Sequence, residues 1–257
     1  MYVISGKPEE NYEKTEKWIE KTIKEQAPDV LVLPELWTTS YAYDILPEIA
    51  DKGHQTTAAF LSEQARKYSV NIVGGSVADN LEGRIYNTAV AFNRDGEEIY
   101  TYHKVHLAST MDEQYHFAEG DKAPGTFGID GYKAGMEICY DLRFPELSRP
   151  YGIEGAQILF FVCAWPKKRI EHWRALLKAR AIENQLFVVG CSRVGDCDGT
   201  MLGGASMIYN PSGEILCELD EDSEGTAVAS LNMQEAQIMR ETVGVFKDRR
   251  PDVYRFI

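Results

Sequence analysis

Three residues of this chain, Glu35, Lys104 and Cys139, each stand just past the end of an apolar run. That is where strand-end loops leave side chains exposed for chemistry. Glu35 follows DVLVLP, Lys104 follows EEIYTYH and Cys139 follows AGMEI. A carboxylate, an ammonium and a thiol in one pocket would form a nucleophile with its base and a fixed positive charge. Such a trio supports attack of a thiolate on a carbonyl-like carbon, with the cation holding the developing oxyanion. Spacing alone does not bring the three together.

Cys139 has the clearest nucleophile context. It lies between a strand and YDLRFPE, a tight turn leading into a helix, which exposes the side chain and aims backbone N–H groups at a reacting carbonyl. The bland alternative is a buried structural thiol, the expectation for Cys163 and Cys191 inside apolar strands and for Cys217. Glu35 would supply the base, against the plain reading of a surface glutamate at a loop. Lys104 would hold the oxyanion and keep the thiolate ionised, although solvent is the commonest fate of a lysine. Of the five histidines only His172 follows Cys139, inside a helical pattern beside Trp173, which argues against a papain-like cysteine–histidine pair. His103 and His106 flank Lys104; H-x-x-H without further ligands is a weak metal signal, and ordering of the loop is the expectation. No glycine-rich phosphate loop occurs, so a nucleotide cofactor has no support.

The elements that must position these residues alternate in type. Asn11–Lys24, with its Trp18/Ile19/Ile23 stripe and Glu/Lys pairs, reads as an amphipathic helix, and Thr57–Tyr68 as a second. Asp29–Leu33 and Asn71–Val77 read as strands, the latter containing Gly74-Gly75. Ile85–Phe92 and Glu98–His103 flank the turn NRDG, and Phe127–Ile129 and Tyr132–Cys139 flank Asp130-Gly131. Beyond Cys139 the pattern gives a helix at Glu146–Tyr151, a strand at Gln157–Cys163, a helix over Arg169–Asn184 and a strand at Leu186–Cys191. A hairpin of Ala205–Tyr209 and Glu214–Leu219 follows around NPSG, then a strand at Ala227–Leu231 and a helix at Gln234–Glu241. Strands in hairpins with helices between them imply an α/β class with mixed sheets covered by helices.

Composition bounds the rest. With 44% hydrophobic and 26% charged residues the chain has the means to bury a large core. Neither a linker nor a repeat divides it, so residues 1–257 are expected to form a single domain. A formal net charge of −13, unrelieved by any Lys/Arg stripe, disfavours nucleic acid and anionic membranes as partners. Apolar runs such as Ile158–Ala164 are too short to span a bilayer. Five scattered cysteines without a CxxC pair, and no leader pattern, fit a reducing cytoplasm.

Taken together, LVLPELW (31–37), YHKVHL (102–107) and GMEICYDLRFPEL (135–147) resemble the carbon–nitrogen hydrolases of the nitrilase superfamily. WPKKRIEHWRALLKARAIENQ (165–185) resembles that superfamily's omega-amidase-like branch, and the likeness runs from about residue 8 onward. It implies a four-layer αββα sandwich of two mixed sheets flanked by helices, and a homodimer. It implies Glu35 as general base, Lys104 as oxyanion stabiliser and Cys139 as nucleophile, with Glu113 positioning substrate and Lys104. The Tyr140 amide would complete the oxyanion hole; Arg143 would bind a substrate carboxylate or else brace the turn against Asp141 or Glu146; and Trp165, ahead of Trp37 and Tyr41, would form a pocket wall, the other reading for all three being core. The implied reaction cleaves a small linear amide, such as the terminal amide of a 2-oxo acid, with no metal or organic cofactor. N-carbamoyl or plain aliphatic amides, or an idle dimeric scaffold, are the alternatives. Family members open with a full apolar strand before the first helix, whereas this chain opens MYVISGKPEEN, so a shortened first strand ending at Tyr2–Ile4 is expected.

Overall fold

Unbroken burial along Asn71–Asp79 and Asn87–Phe92 organises the structure, because each residue there faces either a second sheet or a layer of helices. The computed structural model describes residues 1–254. In chain order it runs through α1 (Pro8–Gln26), β1 (Val30–Val32), the single turn α2 (Leu46–Ile49), β2 (Asp51–Lys52), α3 (Gln55–Tyr68), β3 (Asn71–Leu81), β4 (Arg84–Phe92) and β5 (Glu98–His103). Next come β6 (Phe127–Ile129), β7 (Tyr132–Ile138), α4 (Pro145–Ile153), β8 (Ile158–Cys163), α5 (Ile170–Asn184) and β9 (Phe187–Ser192). A small ribbon of β10 (Gly195–Cys197) and β11 (Thr200–Leu202) precedes β12 (Met207–Tyr209), β13 (Ile215–Glu218) and α6 (Gln234–Thr242).

The first sheet has the order β1-β3-β4-β5 with β2 also on β3; the second has the order β13-β12-β9-β8-β7-β6. Both are mixed: β1 runs parallel to β3, and β7, β8 and β9 are mutually parallel. Val73, Ala89, Ala91, Tyr100 and Tyr102 of the first sheet share one core with Met136, Ile138 and Phe160 of the second. The opposite face of the first sheet, with Ile72, Val90 and Phe92, packs beneath Ile19 of α1 and Leu61 and Ala65 of α3. On the far side of the second sheet, Tyr151 of α4 lies over Gly135, and Trp173 and Leu177 of α5 lie over Gly190. The layers are therefore helix, sheet, sheet, helix, the four-layer αββα sandwich expected from the sequence. Each large side chain fully buried between them contributes roughly 1.5–3 kcal/mol.

Helix α1 begins a turn earlier than the periodicity suggests, because Pro8 is suited to the first helical position and Glu9 and Glu10 favour the N-terminal end of the dipole. One expected strand is absent. Ala227–Leu231 alternates correctly but joins no ladder; it runs along a cavity of about 540 Å³ that β1, Met1 and Ile158 also line. An alternating pattern fixes which side chains face a core, but a strand also needs a partner edge, and this segment pairs with none among the described residues. Tyr2–Ile4 is likewise not a strand. The Ile4 amide donates to Asn11 Oδ1 at 2.9 Å and the Met1 carbonyl accepts from the Val194 amide at 3.1 Å. Among the described residues no helix is long and apolar enough to cross a membrane.

Candidate active site

Glu35 reaches the interior because of a bulge in β3. The register between β3 and β4 shifts between Val73 and Ser76, and Gly75 there takes φ +65°. A Cβ on Gly75 would stand 2.1 Å from the Pro34 carbonyl oxygen, so only glycine admits the approach of the 33–37 loop. The Ser76 amide donates to the Pro34 carbonyl at 3.1 Å, the Ser76 hydroxyl accepts from the Leu36 amide at 3.1 Å, and the Trp37 indole donates to the Gly74 carbonyl at 2.8 Å. This fixes Glu35, which is fully buried. Its Oε1 accepts from Asn87 Nδ2 at 2.8 Å and from Lys104 Nζ at 2.7 Å, and its Oε2 accepts from the Ala164 amide at 2.8 Å.

Lys104 follows β5 and is also fully buried. Its ammonium bridges Glu35 Oε1 at 2.7 Å and Glu113 Oε1 at 2.8 Å. Burial alone would depress its pKa, but the carboxylates of Glu113 and Glu35 outweigh that and hold it well above the usual lysine value. The backbone around it is fixed by the Gly120 amide, which donates to the Lys104 carbonyl at 2.9 Å. Gly120 packs so closely that a Cβ there would come within 2.2 Å of the His103 carbonyl oxygen. Glu113 Oε2 accepts from the Ala108 amide at 2.8 Å, and its Oε1 also accepts from the Tyr41 hydroxyl at 3.1 Å. Burial pushes the Glu113 carboxyl upward against the pull of Lys104, and burial keeps the Tyr41 phenol protonated.

Cys139 opens a 3-10 turn, Cys139–Arg143, immediately after β7, with φ +44°. A left-handed non-glycine residue at a strand end costs of order 1–3 kcal/mol, and the surrounding contacts must hold it there. Asp141 does much of this. Its Oδ2 accepts from the Ile138 amide at 3.2 Å and the Tyr102 hydroxyl at 2.8 Å, and its Oδ1 meets the His106 amide at 3.1 Å and ring Nδ1 at 2.9 Å. The His106 ring stacks on Phe144 at 3.6 Å between centroids. His106 thus orders the loop, as expected, and His103 meets Thr88 Oγ1 at 2.9 Å through Nδ1. Cys139 Sγ stands 4.0 Å from the Ala164 carbonyl oxygen.

Above the thiol opens a cavity of about 220 Å³, lined by Tyr140, Arg143, Trp165, Arg169, His172 and Thr110 among others. Arg143 lies over the Trp165 ring, its Cζ 4.7 Å from the centroid, with Nη1 at 3.5 Å from His172 Nδ1. It forms no ion pair with Asp141 or Glu146 among the described residues. Burial, with Arg169 nearby, pulls its guanidinium below the usual arginine value. The structure therefore gathers Glu35, Lys104, Glu113 and Cys139 at one end of both sheets and sets Tyr140, Arg143 and Trp165 around the opening. Asn87, Asp141 and Arg169 have no place in the sequence reading as site residues, and Tyr41, read there only as pocket wall or core, donates to Glu113 instead. Asn87 left a signal, an amide inside the apolar stretch IYNTAVAF, where a buried polar group demands a partner.

This fold and site are those of a thiol hydrolase, and residues 4–241 match the carbon-nitrogen hydrolase family. The chain belongs to that family and is a hydrolase of carbon–nitrogen bonds other than peptide bonds. It is 43% identical to a 2-oxoglutaramate amidase of Bacillus subtilis (strain 168), over 97% of this chain and 95% of the relative. It is 30% identical to the crystal structure of Saccharomyces cerevisiae Nit3, a member of branch 10 of the nitrilase superfamily, with a TM-score of 0.89 over 97% of this chain and 93% of that one. It also matches, at 25% identity and a TM-score of 0.81 over 94% of each chain, a mutant amidase from Nesterenkonia sp. AN1 that shows Michael addition of acrylamide at its active site cysteine.

Proposed function

We propose that this enzyme hydrolyses the terminal amide of a small 2-oxo acid such as 2-oxoglutaramate, giving the carboxylate and ammonia through a thioester on Cys139. Glu35 takes the thiol proton and the sulfur attacks the amide carbon. Lys104 Nζ and the Tyr140 amide hold the oxyanion, and Glu113 positions Lys104 between two carboxylates. Glu35 then returns the proton to nitrogen, the carbon–nitrogen bond breaks and ammonia leaves. A water activated by Glu35 attacks the thioester, and Cys139 is released as the thiol. Loss of one such oxyanion donor typically costs about 10²–10³ in rate.

The observation that carries the substrate class is Arg143. It is a half-buried guanidinium at the mouth of the cavity above Cys139, stacked on Trp165 and without a carboxylate partner among the described residues. An unpaired cation in that position suits a substrate that brings its own carboxylate. The relationship to a 2-oxoglutaramate amidase supports the same class. We further propose one hydrolase domain acting as a homodimer in the cytoplasm, in keeping with the family likeness and five free cysteines.

The test is ammonia release by the purified protein from 2-oxoglutaramate, 2-oxosuccinamate, glutamine, N-carbamoyl-β-alanine and simple aliphatic amides, with Cys139→Ala as control. Strong turnover of the 2-oxo amides, abolished in the variant, is the expected result. Preference for the carbamoyl compound or for neutral amides would overturn the substrate class.

A further inference from the structure

We propose that Cys163 is a resolving thiol for Cys139, so that a hydroperoxide converts the nucleophile to a reversible Cys139–Cys163 disulfide. Four observations carry this. Strands β7 and β8 run parallel with Ile138 opposite Val162 as their last rung, and Cys139 and Cys163 are the residues that directly follow it on the two chains. Neighbouring strands lie about 4.8 Å apart, and a disulfide needs Cα atoms about 4.4–6.8 Å apart, so the backbone is already within range. Both side chains belong to one buried cluster, and burial first, then Cys139, pushes the Cys163 thiol well up and so holds it protonated. The other cysteines in this region are engaged elsewhere, Cys197 with Ser40 Oγ at 3.3 Å and Cys191 with the Val32 carbonyl at 3.6 Å.

The two thiols differ in access. Cys139 lines the open cavity, whereas Cys163 is fully buried behind it, with its carbonyl held by the Arg193 amide at 3.1 Å. Peroxide therefore meets Cys139 first. The Cys139 thiolate attacks one peroxide oxygen, the O–O bond breaks, and hydroxide leaves and is protonated to water. Sulfur is oxidised by two electrons to the sulfenic acid while the peroxide is reduced. The Cys163 thiol then attacks the sulfenic sulfur, and the displaced hydroxide takes up the thiol proton and departs as a second water. The resulting disulfide blocks the nucleophile but stops the irreversible step to sulfinic acid. Two equivalents of an external thiol return both cysteines to the reduced state.

The experiment is peroxide titration of the full chain, read by intact mass, tryptic mapping and the rate of iodoacetamide labelling at Cys139. None of these needs a substrate, so the outcome is independent of the amide assay. The expected product is about 2 Da lighter than the starting protein, with peptide 134–143 joined to peptide 144–167, and dithiothreitol restores labelling. In Cys163→Ala and in the near-isosteric Cys163→Ser, Cys139 should instead gain about 32 Da as the sulfinic acid and not be restored. Sulfinic acid at Cys139 of the unmodified chain without the linked peptides would overturn the proposal. So would recovery of either variant as complete as that of the parent protein.

Discussion

Glu35 and Ala164 are joined by a 2.8 Å hydrogen bond that crosses from the end of β1 in one sheet to the end of β8 in the other. The same Ala164 turns its carbonyl toward Cys139 Sγ. The proposed base and the nucleophile are therefore set against the amide and the carbonyl of one residue, and Glu35 ties the sheets together besides its proposed proton transfer. Three donors converge on its two oxygens, from Asn87, Lys104 and Ala164. In Glu35→Gln one oxygen becomes an NH₂ that faces another donor and cannot accept a proton. The expected result is a folded protein with amide turnover lower by about 10²–10⁴, measured as ammonia release beside a thermal melt. Near-normal turnover would remove Glu35 from the mechanism.

Lys104 is the cation between two fully buried carboxylates. Lys104→Met leaves both without a counter-charge, which typically costs about 3–5 kcal/mol. For a chain of this size that is a melting temperature lower by roughly 10 °C. The sign with pH follows from the same charges. Without the ammonium that opposes it, burial pushes the Glu113 carboxyl up further, so the variant should regain more stability than the parent as pH falls toward 5. A variant as stable as the parent at pH 8 would show that the ammonium is not what keeps the two carboxylates buried.

How far the sequence carried this reading can be judged from particular residues. Glu35, Lys104 and Cys139 were legible because each combines a reactive side chain with a position just past an apolar run. The bonds of Asn87 to Glu35 and of Tyr41 to Glu113 were not, because these partners lie 52 and 72 positions apart and only the closed sandwich brings them together. The four layers followed from alternation of helices and strands together with family likeness. Ala227–Leu231 shows the limit, since alternation specifies faces but not whether a partner edge exists. The ribbon of β10 and β11 escaped notice because Gly195-Asp196-Cys197 has neither a β-branched nor an aromatic residue to mark a strand, even with Asp198-Gly199 at the turn.

The bulge at Gly75 offers a backbone test. Its φ of +65° lies in the left-handed region, and a Cβ would press against the Pro34 carbonyl oxygen at 2.1 Å. Gly75→Ala must either move the 33–37 loop or unwind the bulge, and in both cases Glu35 leaves Lys104. The expected outcome is a protein that is destabilised and also inactive while folded, seen as reduced activity at temperatures well below its melting point. Gly83 and Gly131 also have positive φ but open space around them, so Gly83→Ala and Gly131→Ala should retain full activity and lose only modest stability.

His54 provides a pH signature far from the thiol. Its Nδ1 meets Asp79 Oδ2 at 3.0 Å and its Nε2 meets Glu98 Oε2 at 3.3 Å. Hydrogen bonds to Asp79 and then to Glu98 raise its pKa to about 10, from 6.5 when free. The folded value lies above the unfolded one, so the stabilisation is fully present below pH 6.5 and is lost as pH rises through about 10. His54→Gln should therefore melt below the parent protein at pH 6, and the gap should narrow steadily toward pH 10. A gap that stays constant across that range would mean the imidazolium pair contributes nothing to stability.

Arg143 decides between a carboxylate-bearing substrate and a neutral one. Its guanidinium is held over Trp165 by stacking rather than by an ion pair, so its donors are available to the cavity above Cys139. Lysine carries the charge but neither stacks as a plane nor offers two parallel donors. Arg143→Lys should raise KM for 2-oxoglutaramate by about 10–100-fold, the span of one charge-assisted bidentate contact, with a smaller change in kcat. Turnover of a neutral aliphatic amide, however slow, should be unchanged, because nothing in that substrate reaches the guanidinium. Loss of kcat for both amides alike would instead assign Arg143 to bracing the Cys139–Arg143 turn. In that case the carboxylate would have to be met by Arg169, the second cation lining the cavity, and Arg169→Lys would then carry the KM effect.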